Sequence, residues 1–136
     1  LNNPRKPLEA YGTRGMKASI NGVPHLIIGD GLWAEGYSGQ NGWLIDGHSQ
    51  GGDPDATDAA DADALYQLLE REIVPTFYDR DAQGIPRRWC AIVRQAILSV
   101  TPRFSARRMV KEYAERMYAP AITAGAAAGV PPAIMR

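Results

Sequence analysis

The sequence predicts an α/β unit followed by a run of packed α-helices, on three observations. His25-Leu26-Ile27-Ile28 and Trp43-Leu44-Ile45 are short apolar runs between glycine-rich turns, the pattern of buried strands. Gly12-Thr13 and Gly22 bracket a short helical stretch just ahead of the first strand. Beyond residue 54 apolar side chains recur at helical spacing in several further segments.

Each element follows from its local chemistry. Gly12 tolerates unusual backbone angles, and Thr13 is a helix-starting residue whose hydroxyl is expected to satisfy a free backbone N–H. Ala18, Ser19, Ile20 and Asn21 continue that helix to Gly22, a C-terminal stop. The two strands are expected to join a sheet whose other strands lie upstream. Gly47 to Asp55 reads as a polar, glycine-rich loop in which His48 is solvent-exposed. His25 reads as a strand residue, not a metal ligand, because no second ligand stands at suitable spacing, and no metal site is expected.

A helix is expected over Asp55 to Ile73, with Ala62, Leu65, Leu68, Leu69 and Ile73 on one face and aspartates gathered where the dipole favours them. The aspartates lack the loop pattern of a calcium site. Pro86 opens another helix to about Val100, in which Cys90 is expected to pack as a small apolar residue with Trp89, Ile92, Val93, Ile97 and Val100. Ser105 caps a further helix, with Phe104 and Met109 at staple positions. Arg87-Arg88, Arg103 and Arg107-Arg108 are expected to pair with carboxylates or remain solvated. Past Tyr118-Ala119-Pro120 the alanine- and glycine-rich run has few large apolar residues and reads as a mobile tail.

Composition narrows the function classes. The 136 residues carry 15 basic and 15 acidic side chains, so no basic surplus points to nucleic acid. No apolar run is long enough for a membrane span, and a cytoplasmic location is expected. One cysteine excludes a disulfide within the chain.

The stretch with most chemistry is Glu9-Ala10-Tyr11-Gly12-Thr13-Arg14-Gly15-Met16-Lys17. The N–H groups and positive dipole end of a helix start attract phosphate. An ammonium near that end is disfavoured, which favours the neutral amine of Lys17, the form that condenses with an aldehyde. Phosphate and aldehyde together suggest pyridoxal phosphate. Ordinary helix capping beside a solvated lysine is the simpler reading of the same residues taken alone.

The surrounding residues add to this. Asn2-Asn3-Pro4-Arg5-Lys6-Pro7-Leu8 leads into the motif; Asn21-Gly22-Val23, Asp30-Gly31-Leu32-Trp33 and Glu35-Gly36-Tyr37 follow it. Further on stand Asn41-Gly42-Trp43, Ala64-Leu65-Tyr66, Glu70-Arg71-Glu72-Ile73-Val74-Pro75, Phe77-Tyr78 and Thr101-Pro102-Arg103-Phe104-Ser105-Ala106-Arg107-Arg108. In this order they resemble the C-terminal part of the α-glucan (glycogen, starch, maltodextrin) phosphorylases, in the shorter bacterial type, over roughly residues 1 to 120.

The resemblance implies part of the C-terminal Rossmann-like lobe of a two-lobed GT-B glycosyltransferase fold, followed by packed helices. Residues 1–120 would be that lobe fragment, with an α/β part over 1–50 and a helical part over 51–120, and residues 121–136 a flexible tail. It implies that Lys17 carries pyridoxal 5'-phosphate as a Schiff base, that Thr13 and Arg14 present backbone N–H groups to the cofactor phosphate, and that Gly12 also belongs to the cofactor site. Glu9 would bind a glucosyl hydroxyl, and the backbone of Ala10, Tyr11 and Gly12 would contact the same sugar. The activity implied is reversible phosphorolysis of terminal α-1,4-glucosidic bonds, with α-1,4-glucan, inorganic phosphate and glucose 1-phosphate as partners.

Several positions depart from the family pattern: Tyr11 stands where a small serine or cysteine is usual, Arg14 where glycine or serine is usual, and Leu32 where tryptophan is usual, with Val23-Pro24-His25 a further change expected to affect packing. At 136 residues the chain is too short for a two-lobed enzyme. It is expected to need the N-terminal lobe of the same protein and to be inactive in isolation; oligomer formation stays open. Two rival readings are a non-catalytic remnant that binds neither cofactor nor sugar, and a sugar-nucleotide glycosyltransferase lobe using the same helix start for a diphosphate.

Overall fold

The computed structural model describes residues 1–6, 12–46 and 53–128. Contacts between backbone positions divide the chain into two units, Leu1–Thr101 and Pro102–Arg136.

In the first unit, strands β1 (His25–Ile28) and β2 (Gly42–Ile45) pair in parallel, with His25 opposite Gly42 and Ile28 opposite Ile45. Asn2 bridges to Ile27, its N–H donating to the Leu26 carbonyl at 2.9 Å. Helix α1 (Arg14–Ile20) precedes β1, and the short helix α2 (Leu32–Gly36) lies in the crossover that parallel pairing requires. The sequence reading did not anticipate α2. Its first turn follows Gly31, which takes the left-handed φ of 52°.

The pleat separates two faces. Leu26, Ile28, Trp43 and Ile45 form one buried cluster, against which Leu65, Leu68, Leu69, Ile73, Trp89 and Ile92 pack. Burying each large side chain of this kind contributes about 1.5–3 kcal/mol. The other face carries His25 and Ile27, packed with Gly15, Leu32 and Trp33. The result is a small parallel sheet flanked by helices, a Rossmann-like α/β arrangement. Gly42 makes the second face possible: a Cβ there would stand 2.4 Å from the His25 carbonyl oxygen and 3.0 Å from the Trp33 ring. Asn41 is fully buried and satisfied, its amide donating to the Gly36 carbonyl at 2.7 Å and to Ser99 Oγ at 2.9 Å.

Helix α3 (Pro54–Leu68) begins with the Asp53 side chain accepting from Asp55 N–H at 3.1 Å. It continues through a π-helical turn, Leu69–Ile73, into α4 (Val74–Tyr78), past the expected end at Ile73. The reason lies at Pro75. The Val74 N–H reaches back to the Leu69 carbonyl, so the wider turn already leaves one carbonyl without an intrahelical donor where proline brings no N–H. Asp81 then organises the next turn. Its carboxylate accepts from the N–H groups of Gln83 and Ile85, both at 2.9 Å, and from Arg87. The Ile85 N–H, followed by the Arg87 side chain, holds that carboxyl below its usual pKa.

Helix α5 (Arg87–Arg103) starts after Pro86, as expected, and buries Ala96 and Val100. Cys90 corrects the sequence reading: it is exposed. Trp89, Ile92, Ala96 and Val100 share a helical face, and Cys90, one residue after Trp89, falls outside it.

In the second unit, Ser105 Oγ accepts from Arg108 N–H at 3.2 Å and opens α6 (Ala106–Tyr113). A second π-helical turn, Ala114–Tyr118, leads to α7 (Ala119–Ala127), again with a proline, Pro120, at the second position beyond it. Residues 119–127 are helical, as their alanine content favours. No described residue of α6 or α7 is buried. Arg108–Glu112 at 2.6 Å, Arg116–Glu112 at 3.7 Å and Lys111–Glu115 at 3.8 Å line these turns. His48 lies outside the described residues.

Candidate functional site

The motif helix α1 starts at Arg14 and ends in a Schellman arrangement: Gly22 N–H donates to the Ser19 carbonyl at 3.0 Å and Val23 N–H to the Ala18 carbonyl at 2.9 Å. Gly22 supplies the left-handed φ of 71° that this stop requires. At the other end Thr13 occupies the cap position with α-type angles (φ −78°, ψ −2°), and its side chain makes no cap hydrogen bond. The expected hydroxyl cap is thus corrected, since capping by a threonine oxygen requires the extended conformation. Among the described residues, the Thr13 side chain therefore offers no acceptor to the N–H groups that open the helix.

Gly15 and Ser19 form the buried face of α1. A Cβ at position 15 would come within 2.8 Å of both Cε1 and Nδ1 of His25, so the glycine lets the helix sit directly on the imidazole. His25 is 5% exposed, and burial pushes its pKa down from 6.5 to about 4. Its ring meets Trp33 edge-on with centroids 4.9 Å apart. Trp33 is fully buried.

Lys17 is exposed; its N–H donates to the Thr13 carbonyl at 3.0 Å and its carbonyl accepts from Asn21 Nδ2 at 2.7 Å. Gly12 and Arg14 line a recess with Asn2, His25, Asp30 and Trp33, and the room inside it is about 10 Å³. That is space for one water. Thr13 and Lys17 do not line it. The opening N–H groups of α1 fit the phosphate end of pyridoxal phosphate, whereas this recess is too small for its ring. Glu9, Ala10 and Tyr11 lie outside the described residues.

A larger cavity, about 380 Å³, opens at the carboxyl ends of β1 and β2 and is lined by Arg5, Ile28, Ile45, Asp58, Asp61 and Leu65 among others. Open parallel sheets bind ligands at this end of the strands. Arg5 donates to Asp58 at 2.6 Å on its rim. Asp58 and Asp61, expected only to suit the helix dipole, stand at the strand ends because α3 packs on the sheet through Leu65 and Leu68. Among the described residues no group of histidine, cysteine and carboxylate side chains is placed to hold a metal, and no helix is long and apolar enough to cross a membrane.

The site thus belongs to a Rossmann-like α/β protein whose motif helix sits on a buried histidine. Comparison with known proteins makes this more specific. The chain is 51% identical over 118 residues to a glycogen phosphorylase of Aquifex aeolicus, a match covering 87% of this chain and 17% of that protein. It is 48% identical over 122 residues to a maltodextrin phosphorylase of Thermococcus litoralis, covering 90% of this chain and 14% of the relative. A glycogen phosphorylase of Mycobacterium tuberculosis is 47% identical over 121 residues, 89% of this chain and 14% of its own length. Homology over most of its length ties this chain to the glycogen and maltodextrin phosphorylase family, and the chain spans less than one fifth of the length of these relatives. No family model and no solved structure matches it.

Proposed function

We propose that this chain is part of the C-terminal GT-B lobe of a cytoplasmic α-glucan phosphorylase, an enzyme that splits terminal α-1,4-glucosidic bonds reversibly with inorganic phosphate to give glucose 1-phosphate. The observation that carries the proposal is the 47–51% identity to glycogen and maltodextrin phosphorylases over 118–122 residues. In this reading residues 1–120 are the lobe piece with the cofactor anchor, and the N-terminal lobe of the same protein completes the glucan cleft.

Lys17 is the proposed anchor of pyridoxal 5'-phosphate, and the N–H groups following Gly12, Thr13 and Arg14 donate to its phosphate. The first turn of α1, which receives no side-chain cap from Thr13, supports this assignment. Glu9 accepts a hydrogen bond from a hydroxyl of the glucosyl unit, and the backbone of Ala10, Tyr11 and Gly12 orients that sugar. When bound, the cofactor supplies a phosphate group whose second pKa near neutrality suits it to exchange a proton with the substrate phosphate. Gly15 holds α1 down on His25, which fixes the height of the phosphate-facing N–H groups above the sheet.

A second reading, a chain that keeps the lobe's packing but binds no cofactor, is favoured by the recess of about 10 Å³ and by Lys17 standing outside it. Borohydride reduction of the protein with pyridoxal phosphate, followed by peptide mass mapping against a Lys17→Ala control, separates the two. The first reading expects one stoichiometric pyridoxyl label, on Lys17. Scattered labelling, or none, supports the second.

A further inference from the structure

We propose that His25 is a positioning residue for Lys17: its imidazole is the spacer that sets how far α1, and the lysine it carries, stands above the sheet. The assignment rests on the proposed function, in which Lys17 anchors pyridoxal phosphate. A Cβ at position 15 would lie 2.8 Å from Cε1 and from Nδ1 of His25, and 3.6 Å from Leu32 Cδ2. The imidazole edge is therefore what the Gly15 turn of α1 rests on.

The ring is held where it stands. His25 belongs to β1 and is 5% exposed, and Trp33, 0% exposed, meets it edge-on with centroids 4.9 Å apart. The indole is backed in turn by β2, since a Cβ at Gly42 would lie 3.0 Å from Trp33 Cζ2. A close-packed stack of this kind transmits a displacement instead of absorbing it. A larger group at position 15 thus moves the helix, not the ring.

Lys17 follows Gly15 by two residues, about 200° round the helix, and is exposed where Gly15 is buried. What raises the buried face raises the lysine by the same distance. Carbon atoms pack at about 3.5 Å or more, so a methyl at position 15 lifts this turn by about 0.7 Å. That exceeds the tolerance of about 0.5 Å within which a reactive group must be held. Positions 15 and 25 are coupled in this way: glycine at one is the condition for an imidazole at the other, and the pair sets the reach of Lys17.

Borohydride trapping on the full chain at graded pyridoxal phosphate concentrations tests it, read as the half-saturation of the Lys17 label, with tryptophan fluorescence as the check on folding. Gly15→Ala is expected to raise the half-saturation by about tenfold or more while the fluorescence stays that of the wild type. Adding His25→Ala removes the ring beneath the methyl and is expected to recover most of that loss. Wild-type half-saturation in Gly15→Ala, or a double variant no better than the single, overturns the role of His25 and leaves the proposed function standing. A wild-type chain with no saturable label at Lys17 overturns both. Should Gly15→Ala not fold, the double variant is expected to fold and to label Lys17, and its failure to do either overturns the role of His25.

Discussion

The corner formed by α1, β1 and α2 and the helical unit from Pro102 onward represent opposite ways of holding a short helix. Helix α1 has seven residues, too few to persist alone, and it exists because Gly15 and Ser19 are buried against the sheet. The helices α6 and α7 bury no described residue and leave Met109, Val110, Tyr113 and Ile122 exposed. They rely on alanine propensity, the Ser105 cap and surface ion pairs, each small in water. A single side chain therefore matters greatly in the first region and little in the second.

Three perturbations break or sharpen that contrast. Trp33→Ala removes a fully buried aromatic that touches His25 and Gly42. It is expected to cost about 3–5 kcal/mol and to unfold the first unit, as read by urea titration of the remaining tryptophan fluorescence. Trp33, Trp43 and Trp89 all report on Leu1–Thr101, which makes the signal specific to that unit.

The second perturbation is acid. His25 titrates at 6.5 when unfolded and at about 4 when folded, so the unfolded chain binds the extra proton between those values. Stability from this group is fully present above pH 6.5 and is lost as pH falls through that window, by about 3 kcal/mol in total. His25→Asn is expected to flatten the dependence of the urea midpoint between pH 6.5 and 4. A wild-type midpoint that does not fall in that window would remove the buried neutral histidine from the account.

The smallest effect is in the second unit. Ser105→Ala deletes the cap on Arg108 N–H and is expected to cost about 1 kcal/mol, seen as lost helical ellipticity with unchanged tryptophan fluorescence. A fluorescence change of the size expected for Trp33→Ala would show that one cap matters as much as a buried aromatic and would break the contrast.

Local signals were the legible ones. The strand at His25–Ile28 and the stops and starts at Gly22, Pro86 and Ser105 each depend on one residue and its neighbours, and they stand as read. Cys90 was misread because nothing local distinguishes the inner face of α5 from the position next to it. The π-helical turns were missed because proline looks like a terminator when read alone. In the site, Gly15 reads as one more glycine of a phosphate motif; that it is needed against His25 depends on a contact between different elements. The same is true of Arg5 and Asp58, which are 53 positions apart in the chain.

The π-helical turn at Leu69–Ile73 also acts as a phase shifter. One residue of an α-helix occupies about 100° of rotation, so an added residue turns everything after it by that angle without changing the helix's path. Here the rotation brings Phe77 edge-on to Trp89, with ring centroids 5.0 Å apart, and buries Thr76. The side chains that α4 offers to its neighbours are thus set by a residue count upstream as much as by their own identity.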